Sequence, residues 1–301
     1  MGRKKRGRPV HGVVLVDKPA GMTSNAVVQR VRRLFNAQKA GHTGTLDPFA
    51  TGLLPVCLGE ATKASAFQLD ADKTYEASLK LGVRTDTGDS DGSPVETAPV
   101  PALTMAQVVD ACRTLTGEIW QTPPLYSALK KDGRPLYDYA RAGETVAVEP
   151  RRVVVHALEP LALEGDRLRF RVHCGKGTYV RALGEDLARA LGTVGHLVEL
   201  RRLETGGLSV DDALTLEAIE QAPDAALRPL EILLPHLPRH DADEAAARQL
   251  SHGNPIPWTS AESAPAVLVM HDGVPLCIGE VRQGRLWPKR RFNLATITEA
   301  S

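Results

Sequence analysis

The sequence predicts an α+β fold, on three observations. Thr74 to Leu81 and Arg167 to Cys174 alternate apolar and polar residues, the period-2 pattern of half-buried strands. Helical stripes fall between strand-like segments at uneven spacing, which favours a mixed, largely antiparallel sheet over a regular βαβ winding. No G-x-G-x-x-G or Walker-type loop follows a strand, so no nucleotide cofactor is implied.

Each element follows from its residues. His11 to Val16 reads as a short strand, closed by Lys18-Pro19-Ala20-Gly21. Thr23 or Ser24 then caps a helix with Val27, Val28, Val31, Leu34 and Phe35 on one face. Ala40 to Gly59 is rich in Gly, Thr and Pro without a sustained period and is expected to be a loop. In the first alternating strand, Tyr75, Ala77, Leu79 and Leu81 share one face. Thr85 to Pro101 is a polar loop, and Thr104 with Gln107 opens a capping-box helix over Val108, Val109, Cys112 and Leu115.

Gln121 to Arg152 mixes Pro123-Pro124, three tyrosines and several cations, and is expected to be a protruding, irregular insertion. The second alternating strand puts Leu168, Phe170, Val172 and Cys174 inward. Gly175-Lys176-Gly177 then turns the chain into a helix carrying Val180, Leu183, Leu187 and Leu191, and Gly195 to Leu203 is a further strand. The Pro-rich stretch Pro223 to Pro238 marks a boundary. The expected division is a large domain, 1–240, and a small β-rich module, 241–301, with a short helix at Asp243 to Leu250, strands near Ala266–Met270 and Leu276–Val281, and a basic tail at Pro288-Lys289-Arg290-Arg291.

The 301 residues are 43% hydrophobic and 24% charged, ordinary for a globular protein. No apolar run reaches the ~18 residues of a membrane span. No apolar leader segment follows the basic stretch Met1 to Val10, so a cytoplasmic location is expected. Cys57, Cys112, Cys174 and Cys277 lie far apart, with no metal-ligand spacing; all four are expected to be packing residues, without a metal site. Charge is uneven. Residues 1–40 carry ten Lys or Arg against one acid, Asp17, which suggests an anionic partner such as nucleic acid.

The densest segment is Gly41-His42-Thr43-Gly44-Thr45-Leu46-Asp47-Pro48-Phe49-Ala50-Thr51-Gly52-Leu53-Leu54-Pro55. It frames one carboxylate with glycines, which let backbone approach a ligand, and with Pro48, which biases Asp47 toward an extended conformation. The same residues also fit a plain turn in which Asp47 accepts from nearby N–H groups. Asp86-Thr87-Gly88 repeats the aspartic-protease triplet, but its polar flanks exclude that site. A calcium loop fails too, because Ala98 stands where a bidentate Glu is needed.

Taken whole, the Asp47 segment resembles the signature of the bacterial tRNA pseudouridine-55 synthases, the TruB family. His11 to Pro19 with Gly21-Met22-Thr23-Ser24 resembles the family's opening motif, and Leu58 to Lys63 continues the signature block. Lys73-Thr74-Tyr75, Arg84 to Gly92, Tyr126 to Lys130, Lys176 to Arg181 and Leu200-Arg201-Arg202-Leu203 match further blocks in family order. The likeness runs from about residue 11 to 210 and is weak beyond, where a small RNA-binding module of PUA type is implied.

The resemblance implies isomerisation of a uridine in the T-arm of tRNA to pseudouridine, without cofactor or metal. Asp47 takes the place of the essential aspartate, Tyr75 that of the tyrosine stacked on the target base, and Arg181 that of the arginine paired with the aspartate. Leu200 packs beneath the site, and His42 helps hold the T-loop open. Lys63, Asp89, Tyr179 and Lys130 fall on positions near substrate. The insertion is implied to close on RNA. A monomer with no obligate protein partner and no membrane association is expected. Two rival readings stay open: a non-catalytic tRNA-binding or folding module, and a synthase acting on another RNA.

Overall fold

The computed structural model describes residues 7–127, 129–144, 146–259 and 263–294. Arg3, Lys4, Lys5 and Arg6 of the basic N-terminus, and Ala128 of the 126–130 motif, lie outside the described residues. In chain order come β1 (Gly12–Lys18), α1 (Ser24–Leu34), β2 (Ala40–His42), β3 (Thr51–Leu58), α2 (Ser65–Leu69), β4 (Lys73–Leu81), β5 (Val83–Thr85), β6 (Pro94–Thr97) and α3 (Met105–Thr114). Then follow β7 (Gly117–Gln121), β8 (Lys130–Lys131), β9 (Arg134–Pro135), α4 (Leu136–Arg141), β10 (Arg151–Glu164), β11 (Arg167–Cys174), α5 (Val180–Ala190), β12 (Gly195–Thr205) and β13 (Leu208–Ser209). The last stretch holds α6 (Leu216–Gln221), α7 (Pro223–Ala226), β14 (Arg239–Asp241), α8 (Glu244–Ser251), β15 (Ile256–Pro257), β16 (Ala264–His271), β17 (Val274–Arg282) and β18 (Arg285–Arg291).

The expected α+β class holds. One large sheet runs in the order β1-β3-β12-β4-β11-β10-β7, with β2 beside β3 and β13 beside β12. Pairing is antiparallel except where Arg201 and Arg202 of β12 meet Thr51 and Gly52 of β3. The two alternating segments are neighbours, β4 and β11. Tyr75 stands opposite Val172 and Leu79 opposite Leu168, and these inward residues join one buried cluster with Val27, Val28 and Val31 of α1 and Leu183 and Leu187 of α5. Burying that face on helices is what holds the register, since a slip of one residue would turn it to water.

Both predicted helix starts are capped. Thr23 accepts from the Ala26 N–H, and Thr104 forms a reciprocal box with Gln107. All four cysteines are free and buried.

Four expectations need correction. Ala40 to Gly59 is not all loop, because it contains β2 and β3. β3 is buried along nearly its whole length, so no alternation marks it. The polar segment 85–101 contains β6, which pairs back onto β5 at its start. The insertion is ordered in part as the β8–β9 hairpin and α4, where the Arg134 guanidinium lies 4.2 Å from the centre of the Tyr139 ring. The basic tail is β18, within a second sheet ordered β14-β16-β17-β18-β15.

The Pro-rich stretch packs against both sheets. Leu230, Leu233 and Leu234 are buried together with Val13 and Leu53 of the large sheet and Leu268, Met270 and Ile278 of the second. Arg228 exchanges backbone hydrogen bonds with Val13 and so covers the edge of β1.

Candidate active site

The partners of β3 change along its length. β2 pairs with its far end, from Val56 to Leu58, and β12 with its first two residues. The chain from Thr43 to Ala50 passes through the gap between them and carries Asp47. Gly52 is required where the strands close up: its φ is +98°, and a Cβ there would come 2.3 Å from the Arg202 carbonyl oxygen.

Buried groups fix this loop from both sides. Ser24 accepts from the Leu46 N–H at 2.8 Å and donates to the Leu46 carbonyl at 2.9 Å. Lys18, fully buried, donates to the carbonyls of Pro48 (3.2 Å) and Ala50 (2.6 Å), just after the catalytic candidate in the chain, and to Pro19 (2.9 Å). Burial lowers the Lys18 ammonium to about 8, against the opposing pull of Asp47.

Arg181, in the first turn of α5, meets Asp47 bidentately: Nε to Oδ2 at 2.9 Å and Nη2 to Oδ1 at 3.3 Å. The same guanidinium reaches Asp89 Oδ2 at 3.3 Å and donates to the carbonyls of Thr87 (2.7 Å) and Tyr126 (2.8 Å). Arg181 is 4% exposed, whereas the Asp47 side chain keeps 32% of its surface open. One ion of the pair is therefore enclosed and the other only partly open. Burial raises the Asp47 carboxyl above its ordinary value; Arg181 pulls it down and the Asp89 carboxylate pushes it up again. Asp89 arrives through a left-handed turn at Gly88 (φ +74°), whose added Cβ would touch Arg181 Cβ at 3.5 Å.

Tyr75, 8% exposed, lies on the inner face of β4 opposite Arg202 of β12. Burial raises its hydroxyl, with Arg202 opposing through charge and a hydrogen bond, so the phenol stays protonated at neutral pH. Arg202 is itself 1% exposed and donates to the carbonyls of Leu53 (2.7 Å) and Gly44 (3.1 Å). Leu200, two residues earlier on the same face, is buried. His42 accepts the Gly44 N–H at Nδ1 (3.2 Å), and burial, then Arg202, lowers its pKa, which keeps the imidazole neutral.

The structure thus gathers Asp47, Arg181, Asp89, Tyr75, Leu200 and His42. Tyr179, the residue before α5, is held there by a backbone exchange with the buried Gln121 side chain. Lys130 is exposed on the β8–β9 hairpin. Lys63 stands apart. It pairs with Glu60 (2.5 Å) and donates to the Arg291 carbonyl (2.7 Å), against the second sheet. Lys18 and Arg202 fall inside the family-like motifs, but nothing in the motifs alone marks either as functional. A period-2 count from Leu200 would have turned Arg202 inward. A cavity of about 1010 Å³ lies elsewhere, lined by Phe67, Asp72, His173, His236 and Arg290 among others.

Residues 32–180 match the TruB family pseudouridylate synthase N-terminal domain, and 181–235 match the tRNA pseudouridylate synthase B C-terminal domain. The chain belongs to the TruB family. It is 51% identical over 299 residues to tRNA pseudouridine synthase B of Aromatoleum aromaticum, covering 98% of this chain and 96% of that one. It is 47% identical over 300 residues to tRNA pseudouridine synthase B of Hydrogenovibrio crunogenus, covering 98% of each. Among solved structures, a Cbf5-Nop10-Gar1 complex contains a chain 27% identical to this one, with a TM-score of 0.72 over 93% of this chain and 84% of that one. An H/ACA RNP bound to a substrate RNA containing 2′-deoxyuridine shares the fold, with a TM-score of 0.72 at 24% identity over 97% of this chain and 92% of that one.

Proposed function

We propose that this TruB-family chain isomerises uridine to pseudouridine in tRNA, at the T-loop position conventionally numbered 55, with Asp47 as its catalytic carboxylate. The observation that carries this reading is the asymmetric pair, in which an enclosed Arg181 presents a partly open Asp47. Its near-full-length likeness to proteins named tRNA pseudouridine synthase B supports the substrate.

The reaction breaks N1–C1′, turns the base and joins C5 to C1′. C5 loses its hydrogen and N1 gains one, so composition is unchanged and no redox partner or phosphoryl donor enters. Three roles are chemically open to the carboxylate: addition to the sugar, addition to the ring, or removal of a sugar proton. Each needs it ionised, and Arg181 favours that form. The target nucleoside must leave its stack to reach Asp47. Tyr75 is the aromatic on which it stacks, a contact of about 1–3 kcal/mol, and Leu200 supplies apolar floor. A protonated Tyr75 is a hydrogen-bond donor first, and acts as a base only if its proton passes on.

His42 and Tyr179 flank the RNA path, Asp89 holds Arg181, and Lys130 on the insertion contacts phosphate. Lys63 supports the RNA-contacting module proposed for 241–301 beside the catalytic domain proposed for 1–240. The reading includes a monomer without an obligate protein partner, at work in the cytoplasm.

The test incubates pure protein with unmodified tRNA transcript and maps pseudouridine at nucleotide resolution. Product at the T-loop uridine is expected. Product elsewhere overturns the substrate and spares the chemistry; tRNA binding without product, in wild type and in Asp47→Asn alike, supports the binding-module rival instead.

A further inference from the structure

The outer face of the large sheet carries a cluster with no part in the Asp47 chemistry. Asp72, His156 and His173 offer three ligand atoms, all within 4.8 Å of one another, and all three residues are exposed. His156 Nε2 stands 3.2 Å from Asp72 Oδ2, and the two imidazole rings have centroids 4.8 Å apart.

The backbone builds this arrangement. Pairing of β10 with β11 shifts between Val155↔Cys174 and Ala157↔His173, so His156 is the extra residue of a bulge. His156 and Ala157 together oppose His173, and the small Ala157 leaves the imidazoles room to face each other. Asp72 enters from the turn before β4, its carbonyl held by the Gly206 N–H at 3.2 Å. His173 pairs with Thr74 while Tyr75 pairs with Val172, so the cluster and the tyrosine occupy opposite faces of the same two strands.

We propose that Asp72, His156 and His173 form a Zn²⁺ site. Two imidazoles and one carboxylate are a donor set suited to this ion, with the fourth position left to water or an anion. Ligands at about 2.0–2.1 Å around a tetrahedral ion stand roughly 3.4 Å apart. The His156–Asp72 separation, 3.2 Å, is already close to that, and rotation of the exposed rings closes the rest. A simple His156–Asp72 ion pair leaves His173 without a role. The ion clips the turn leading into β4 to β10 and β11, and this inference does not depend on the reading of Asp47.

Tag-free chain, stripped with a chelator, is titrated with ZnCl₂ by calorimetry. One Zn²⁺ per chain is expected, with a rise in Tm, and His156→Ala, His173→Ala and Asp72→Asn each weaken binding by at least about tenfold. Co²⁺ substitution is expected to give visible d–d bands that vanish in the same variants. His252→Ala, an exposed histidine elsewhere, keeps both signals. Absence of saturable binding overturns the proposal, as does unchanged affinity in the His156→Ala/His173→Ala double variant.

Discussion

Arg201 and Arg202 are neighbours in β12 and sit on opposite faces of the sheet. Arg201 turns outward to a bidentate pair with Asp17 at 2.8–2.9 Å, its side chain 41% exposed. Arg202 turns inward, is closed from water, and gives its hydrogen bonds to backbone carbonyls. The pattern is general. Outer-face pairs such as Glu76–Arg171 and Lys80–Asp166 match one solvated side chain to another, while Lys18, Arg181 and Arg202 inside are each held by two or more backbone acceptors. Water substitutes for a lost partner outside; inside nothing does. Buried cations are costly to enclose and, once enclosed, leave their neighbours little choice of position. The Asp47 carboxylate is set among the second kind.

Four measurements can break or sharpen this contrast. The largest effect is expected for Asp47→Asn, which lowers single-turnover pseudouridine formation by at least about 10³-fold, while thermal melting and tRNA binding stay near wild type. Next, Arg202→Met strands the Leu53 and Gly44 carbonyls and lowers stability in urea titration by about 3 kcal/mol. Arg201→Met, on the outer face, changes it by less than about 1 kcal/mol; equal losses would erase the distinction between faces.

The third concerns pH. The proposed reaction needs Asp47 ionised; its pKa is raised, and Asp89 contributes to the rise. Activity therefore falls as pH drops through that raised value. Asp89→Asn removes a negative neighbour, lowers the Asp47 pKa and carries the acid limb of the pH–rate profile to lower pH; a shift upward contradicts the cluster as described. The smallest effect is expected for Lys130→Ala on the insertion. It weakens tRNA binding a few-fold at low salt and reduces the salt slope by about 1.

Legibility in the sequence followed the same division. β4 and β11 have one wet face and one dry face, so their alternation could be read directly. β3 is dry on both sides and broken by Gly52 and Pro55, so it read as loop although it is an inner strand of the sheet, between β1 and β12. β18 looked like a basic tail because Lys289, Arg290 and Arg291 mask a strand whose Leu286 is buried. Within the site, Asp47, Tyr75 and Arg181 came from a family likeness, since each alone suits a turn, a core or a surface. Lys18 escaped notice because charge argues for exposure. Only the tertiary structure shows the carbonyls that make its burial tolerable.

The Arg181 guanidinium gathers groups from positions 47, 87, 89 and 126, supplied by a loop, a turn and the base of the insertion. None of these segments adjoins another in sequence, so the arrangement exists only when all have arrived. It works as a completion check on the fold. During refolding, the bidentate Arg181–Asp47 pair should return last, after helix content and sheet pairing have recovered, and a chain halted partway lacks it.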